Sequence, residues 1–416
     1  MSKHPLDGRS VPAMTPRRSR VIPGLTGNLI ALVLLALSAC TRPDVLTMFV
    51  GTYSDGFYAY DFDQNAGALV SAEPIAKAEM PNPSYLAVRG NKVYAVSEMP
   101  DTSASVWAWR YGGNGFELLN RQPTGIFVEG DGRSQPAMTS TTSSVDAGST
   151  SSVIPGSTGN LFHGEDPCYV STDGTLLAVA NYSGGTLAVY RLREDGRIAP
   201  LDSLLISGIG GPDLSRQDKP HVHCAVFSPD GKHLLFSEFS ADEIGRLDVY
   251  AGGVRNYCRA ATLHSDYGPR HLLFDSAGTH LYVIGELSGD ITVYDYANGS
   301  LTERQVVKAD RFDARGAADL HLSPDGKFLY ASLRLRGDGI AVFSVGSDGM
   351  LTYVGYQATG LHPRNFNITP NGRFLLVACR DTDAIEIYSR SSETGLITFT
   401  GRTIPVERPV FVGWGN

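Results

Sequence analysis

Histidine and cysteine are the side chains in this 416-residue sequence that most readily hold metals or attack substrates. His221 and His223 stand one residue apart in KPHVHCAVF. Alternate residues of a strand share a face, so the pair could offer two ligands to one ion. No third ligand is evident, and no metal is expected. The cysteines are Cys40, Cys168, Cys224, Cys258 and Cys379. None lies in a CxxC pair, which removes the support for zinc or dithiol chemistry. The last four read as small buried apolar residues. No glycine-rich loop follows the strand-then-helix setting that a nucleotide requires, so no cofactor is expected. Acid–base and anion-holding chemistry remains. It needs only His, Glu and Arg side chains brought together from distant positions.

The elements that could gather such residues are legible as a repeat. Five segments share an apolar strand, a Gly-containing turn and a second apolar strand: CYVSTDGTLLAVA, AVFSPDGKHLLFS, LLFDSAGTHLYVI, LHLSPDGKFLYAS and FNITPNGRFLLVA. Their turn glycines, Gly174, Gly231, Gly278, Gly326 and Gly372, are spaced by 57, 47, 48 and 46 residues. A weaker copy turns at Gly90. Asp-Gly and Asn-Gly tolerate the positive φ of tight hairpins. Each copy continues into a third strand, such as TLAVYRL or AIEIYSR, and usually a fourth. Four short antiparallel strands recurring at this period are the pattern of propeller blades, and helical 3.6-residue periodicity is absent. The fold class is therefore all-β: a seven-bladed β-propeller of four-stranded antiparallel blades over residues 45–416. Blades two to seven start near residues 83, 166, 220, 269, 317 and 363. Blade one opens at its second strand, as TMFVGTY, FYAYDFD and ALVSAEP. Its missing first strand is supplied by PVFVGW (409–414), which closes the ring and removes an exposed edge.

The ends and the interruptions read differently. LIALVLLAL (29–37) is too short to span a bilayer and suits a signal-peptide core, with Arg17, Arg18 and Arg20 ahead of it. LSAC (37–40) resembles the lipobox of bacterial lipoproteins, which makes Cys40 the lipidated residue. Residues 1–40 are thus read as an N-terminal extension and lipoprotein-type signal peptide, and the protein as exported and anchored at the cell envelope. Removing them leaves 30 basic and 42 acidic residues, since five Lys/Arg and one Asp go from totals of 35 and 43. No basic stripe marks a nucleic-acid partner. The phrases DGRSVPAMT and VIPGLTGNL near the start recur as DGRSQPAMT and VIPGSTGNL at 131–161. The internal copy lies in Ser/Thr-rich sequence too poor in apolar residues to offset its ordering entropy. Residues 125–163 are read as a disordered insertion.

Several phrases, in order along residues 46–416, resemble the lactonase-type seven-bladed propeller family, which includes bacterial 6-phosphogluconolactonases and fungal carboxy-muconate cycloisomerases. They are FVGTY, ANYSGGTLAVY, KPHVHCAVFSPDG, YGPRHLLF, VIGEL, AADLHLSPDGKFLYASLR and HPRNFNITPNGRFLLVA. The resemblance implies four catalytic positions: His223 in the PHxH phrase, Arg270 in GPRH, Glu286 sixteen residues on, and Arg334 at the end of ASLR. Three positions depart from the family pattern: Leu333 replaces Asn, Tyr169 replaces His, and Asp319 replaces Glu. His221, His271 and His362 are assigned supporting roles.

The implied activity is hydrolysis of a sugar lactone. His223 or Glu286 could activate water, and Arg270 and Arg334 could hold an anionic group. Each has a plainer reading: Glu286 and Arg270 as a structural ion pair, and Arg334 or its neighbour Arg336 as a solvated charge. The expected partner is a small anionic or sugar lactone. A muconate-type lactonising cycloisomerase and a non-catalytic exported propeller that binds glycan or protein are the alternatives, since fold alone does not choose among them.

Overall fold

The computed structural model describes residues 44–126, 163–206 and 210–415. The signal segment, Cys40 and all but the edges of the 125–163 insertion lie outside them.

The second strand of a blade is covered on both faces by its neighbours. Such strands read as continuous apolar runs, and Leu176–Asn181, His233–Glu238 and Phe328–Leu333 are buried along their whole length. Seven antiparallel sheets result. Their innermost strands are Pro409–Trp414 for blade one, then Pro83–Arg89, Pro167–Thr172, Val222–Phe227, Pro269–Phe274, Ala317–Leu322 and Pro363–Ile368 for blades two to seven. Each innermost strand packs against those on either side in a closed circle, with Pro409–Trp414 between blades seven and two. That strand pairs with Val45–Thr52, Met48 opposite Trp414 and Val50 opposite Val412, as the ring-closure reading expects. The six turn glycines all have positive φ; at Gly231 and Gly326 it is 68°. Between blades the sheets pack through apolar layers. Tyr282, Val293, Leu320, Ala331 and Phe343, for example, fill the space between blades five and six.

Two expectations need correction. The segment ALVSAEP does not form one strand: Ala68–Leu69 and Ala76–Glu79 each pair separately with Gly56–Asp63. Pro74 lies in the gap, where it cannot donate to the ladder. Cys258 is only partly buried, on an outer strand, whereas Cys168, Cys224 and Cys379 are buried as expected.

Candidate active site

At the mouth end of every innermost strand the pairing register slips by one extra residue. Such a bulge re-aims side chains and bends the strand. In blade four Val222 opposes Glu238 and Cys224 opposes Ser237, leaving His223 unopposed. Arg270 is the corresponding residue of blade five, Arg364 of blade seven and Cys168 of blade three. Glu286 and Arg334 reach the same mouth by another route: they directly follow the second strands His280–Gly285 and Phe328–Leu333.

The structure brings the four expected residues to one buried mouth, and each is at least nine-tenths buried. Glu286 is the hub. Its Oε2 lies 2.9 Å from Arg270 Nε and 2.9 Å from Arg334 Nη2, while Oε1 accepts from Arg216 Nη2 at 2.5 Å. Burial alone would raise this carboxyl. Arg334, Arg270 and Arg216 outweigh it and hold Glu286 well below the usual carboxylate range. A carboxylate so held accepts a proton poorly. Glu286 is instead the shared ion-pair partner of the three arginines. Arg334 is fixed further by donating from Nε to Gly316 O at 2.8 Å, and Arg270 by donating from Nη1 to Ala318 O at 2.6 Å. Arg336 is exposed, so Arg334 is the arginine of that pair that belongs to the site.

His223 is buried, and its Nδ1 has no hydrogen-bond partner among the described residues. Burial, then Arg270 and His271, push its pKa well below 6.5, so the imidazole is neutral at pH 7. His271 stands edge-on to it, with ring centroids 5.4 Å apart. His271 Nδ1 meets Asp319 Oδ1 at 2.6 Å, and Asp319 Oδ2 also accepts from Asn365 Nδ2. Burial, then Arg270, lowers His271 to about 4 despite the opposing Asp319. His221 stacks on Tyr182 at 4.2 Å and its Nδ1 bonds Tyr182 O at 2.8 Å, and the Tyr182 ring in turn stands edge-on to His223 at 5.7 Å. Among the described residues no three of His, Cys, Asp or Glu converge as a metal-binding set. Tyr169 fills its blade-three position by stacking on Tyr85 at 4.3 Å.

Sequence reasoning missed Arg216, Arg364, Glu98 and Tyr53. Tyr53 Oη donates to Glu98 Oε1 at 2.7 Å, and Arg364 lies 5.1 Å over the Tyr53 ring. A signal for Arg364 was present: Pro363-Arg364 repeats Pro269-Arg270 at the same point of a later blade. Arg216 comes from the connection between blades three and four, where nothing in the sequence marks it.

A seven-bladed ring whose axial bulges present His and Arg to one mouth is the architecture of a lactonase-type propeller. The chain belongs to that family: the model for the lactonase, 7-bladed beta-propeller family matches residues 47–134 and 139–414. A 6-phosphogluconolactonase of Formosa agariphila is 30% identical over 370 residues, covering 84% of this chain and 93% of that protein. That of Bacillus subtilis is 29% identical over 381 residues, covering 88% and 97%. Among solved structures, a putative 6-phosphogluconolactonase from Bacteroides uniformis is 42% identical with a TM-score of 0.78, covering 89% of this chain and 100% of that one. A periplasmic gluconolactonase of Pseudomonas aeruginosa is 26% identical with a TM-score of 0.74, covering 89% and 99%.

Proposed function

We propose that this chain hydrolyses a sugar lactone to the open-chain acid, with His223 as general base. The observation that carries the reading is a neutral, buried imidazole with an unpartnered Nδ1 beside arginines locked in place by Glu286. His223 takes a proton from water as the water oxygen bonds to the lactone carbonyl carbon. The carbonyl oxygen gains the charge, and Arg270 and Arg334 stabilise it. Collapse breaks the bond from the carbonyl carbon to the ring oxygen, and His223 returns its proton to that oxygen. Three arginines face one glutamate, so a net positive charge awaits the oxyanion and the product carboxylate. The names of the Formosa and Bacillus relatives support lactone hydrolysis.

The signal-like segment and LSAC support export and lipidation at Cys40. At the cell envelope an unphosphorylated aldonolactone is the more accessible substrate. The name of the Pseudomonas relative, a periplasmic gluconolactonase, supports that placement. Release of the protein from the membrane fraction by Cys40→Ser is the expected result for the anchor.

Proton release from δ-gluconolactone and 6-phosphogluconolactone, measured against spontaneous opening, tests the activity. Turnover lost in both His223→Gln and Arg270→Ala is expected. A well-folded protein that accelerates neither compound overturns the reading for these two substrates and favours a binding propeller. Rearrangement of a muconate without lactone hydrolysis would favour the cycloisomerase.

A further inference from the structure

The arginines at the mouth are not equally engaged. Arg270, Arg334 and Arg216 are held by Glu286, and the first two also by backbone carbonyls. Arg364 is different. Its guanidinium makes a 3.7 Å ion pair with Glu98 Oε1 and rests over the Tyr53 ring, yet donates no hydrogen bond to any described group. Glu98 Oε2 is buried without a hydrogen-bond partner among the described residues. So is Ser84 Oγ, on a residue 3% exposed. Ser84, Arg364 and Arg270 line one cavity of about 10 Å³, room for a single hydroxyl-sized group, and Glu98 adjoins it through Arg364.

Buried polar groups are nearly always satisfied, and a cluster left unsatisfied indicates a missing partner. The kind of partner follows from charge. Around Glu286 there are two more positive charges than negative, whereas Arg364 and Glu98 already compensate one another. An anion would gain there only against Glu98. A hydroxyl group fits better, because it accepts from a guanidinium and donates to a carboxylate at once. Tyr53 fixes the orientation of Glu98 by donating to its other oxygen.

We infer that Arg364, Glu98 and Ser84 form a second half of the substrate site, on blades seven and two, that takes one hydroxyl group of a polyhydroxy lactone. The inference rests on the reading of the chain as a lactone hydrolase. It assigns the Glu286 half to the reacting carbonyl and the Arg364 half to recognition of the polyol. Arg270, which borders both, aligns one end of the substrate with the other.

Selectivity separates this inference from the hydrolase reading. The full chain and its Glu98→Gln, Arg364→Ala, Arg364→Lys and Ser84→Ala variants would be assayed on δ-gluconolactone and on δ-valerolactone, which lacks hydroxyl groups. Melting temperatures would be recorded alongside. The expected result is a roughly 10- to 100-fold fall in the ratio of the two kcat/KM values for Glu98→Gln and Arg364→Ala, carried mostly by KM. Arg364→Lys should recover part of it. Ser84→Ala leaves the ion pair intact and should show a smaller fall, so the inference stays testable if the charge variants unfold. Wild-type turnover with an unchanged ratio in every folded variant overturns the inference and leaves the hydrolase standing. If the wild type opens neither lactone, equilibrium dialysis decides with D-gluconate against valerate. Preference for gluconate that is lost in the variants upholds the polyol half while the hydrolase reading fails; no preference overturns both.

Discussion

The proposed role of His223 as a base rests on burial, which first of all keeps its imidazole unprotonated. The neighbouring Arg270, Arg364 and Arg334 add to it, and the same cations could bind an anion. The catalytic consequence is direct: His223→Gln should lower kcat by about 10²- to 10⁴-fold with little change in KM, the range for loss of a positioned general base. The pH profile follows from the same field. A folded pKa well below 6.5 puts the acid limb of kcat/KM below that value. Removing a nearby positive charge stabilises the imidazolium, so Arg334→Gln should move the limb to higher pH even as it lowers the plateau. A limb that stays put would mean that another group titrates. At this scale the sequence was only partly readable. Phrases such as GPRH and PHxH pointed to His223, Arg270, Glu286 and Arg334. Nothing in them revealed that Glu286 collects three arginines, because Arg216 lies 70 positions away. Its carboxylate role changes from candidate base to anchor once those charges surround it.

The element that makes a site out of a sheet is the bulge at the start of each innermost strand. Regular pleating would send alternate residues to the two neighbouring blades. The extra residue instead aims His223, Arg270 and Arg364 toward the mouth. Strand boundaries were largely legible, since Asp-Gly turns and apolar runs mark them locally; the third strand Thr186–Leu192 coincides with TLAVYRL. Bulges were not, because a one-residue slip depends on the partner strand. The broken outer strand of blade one was misread for the same reason, although Pro74 gave a hint. The closing strand offers a test of how blades hold together. Val412 is fully buried, and its N–H donates to Asn365 Oδ1 at 2.8 Å. Val412→Asp would bury an unpaired charge at the seam, and a loss of roughly 3–5 kcal/mol is expected in chemical denaturation. A much smaller loss would show that the ring tolerates an open seam.

Several buried or half-buried ionisable groups of the described residues gather at one mouth, and those whose pKa values shift there respond to acid in the same direction. His223, His271 and His362 are neutral when folded, and their pKa values lie below the unfolded value. Below pH 6.5 the unfolded chain binds protons that the folded one refuses, so stability falls with pH. For His271, moved from 6.5 to about 4, the loss is on the order of 3 kcal/mol by pH 4. Glu286 and Asp319, depressed in the fold, withdraw their contributions as pH drops further. The melting temperature should therefore decline steadily from pH 6.5 to 4, and His271→Asn should flatten part of that slope. The polarity of the chain through blade one adds one more property. Val45–Thr52 runs toward the mouth, where Tyr53 follows it, and Pro409–Trp414 runs back. Val45 and Trp414 therefore both emerge on the face away from the substrate entrance, with Gly415 N bonded to Thr47 O at 2.8 Å. A propeller immobilised on a bead or electrode through Val45 or Trp414 would present its opening outward. A short linker between those points would yield circular permutants whose new termini can be placed in an exposed interblade connection that supplies no residue to the site.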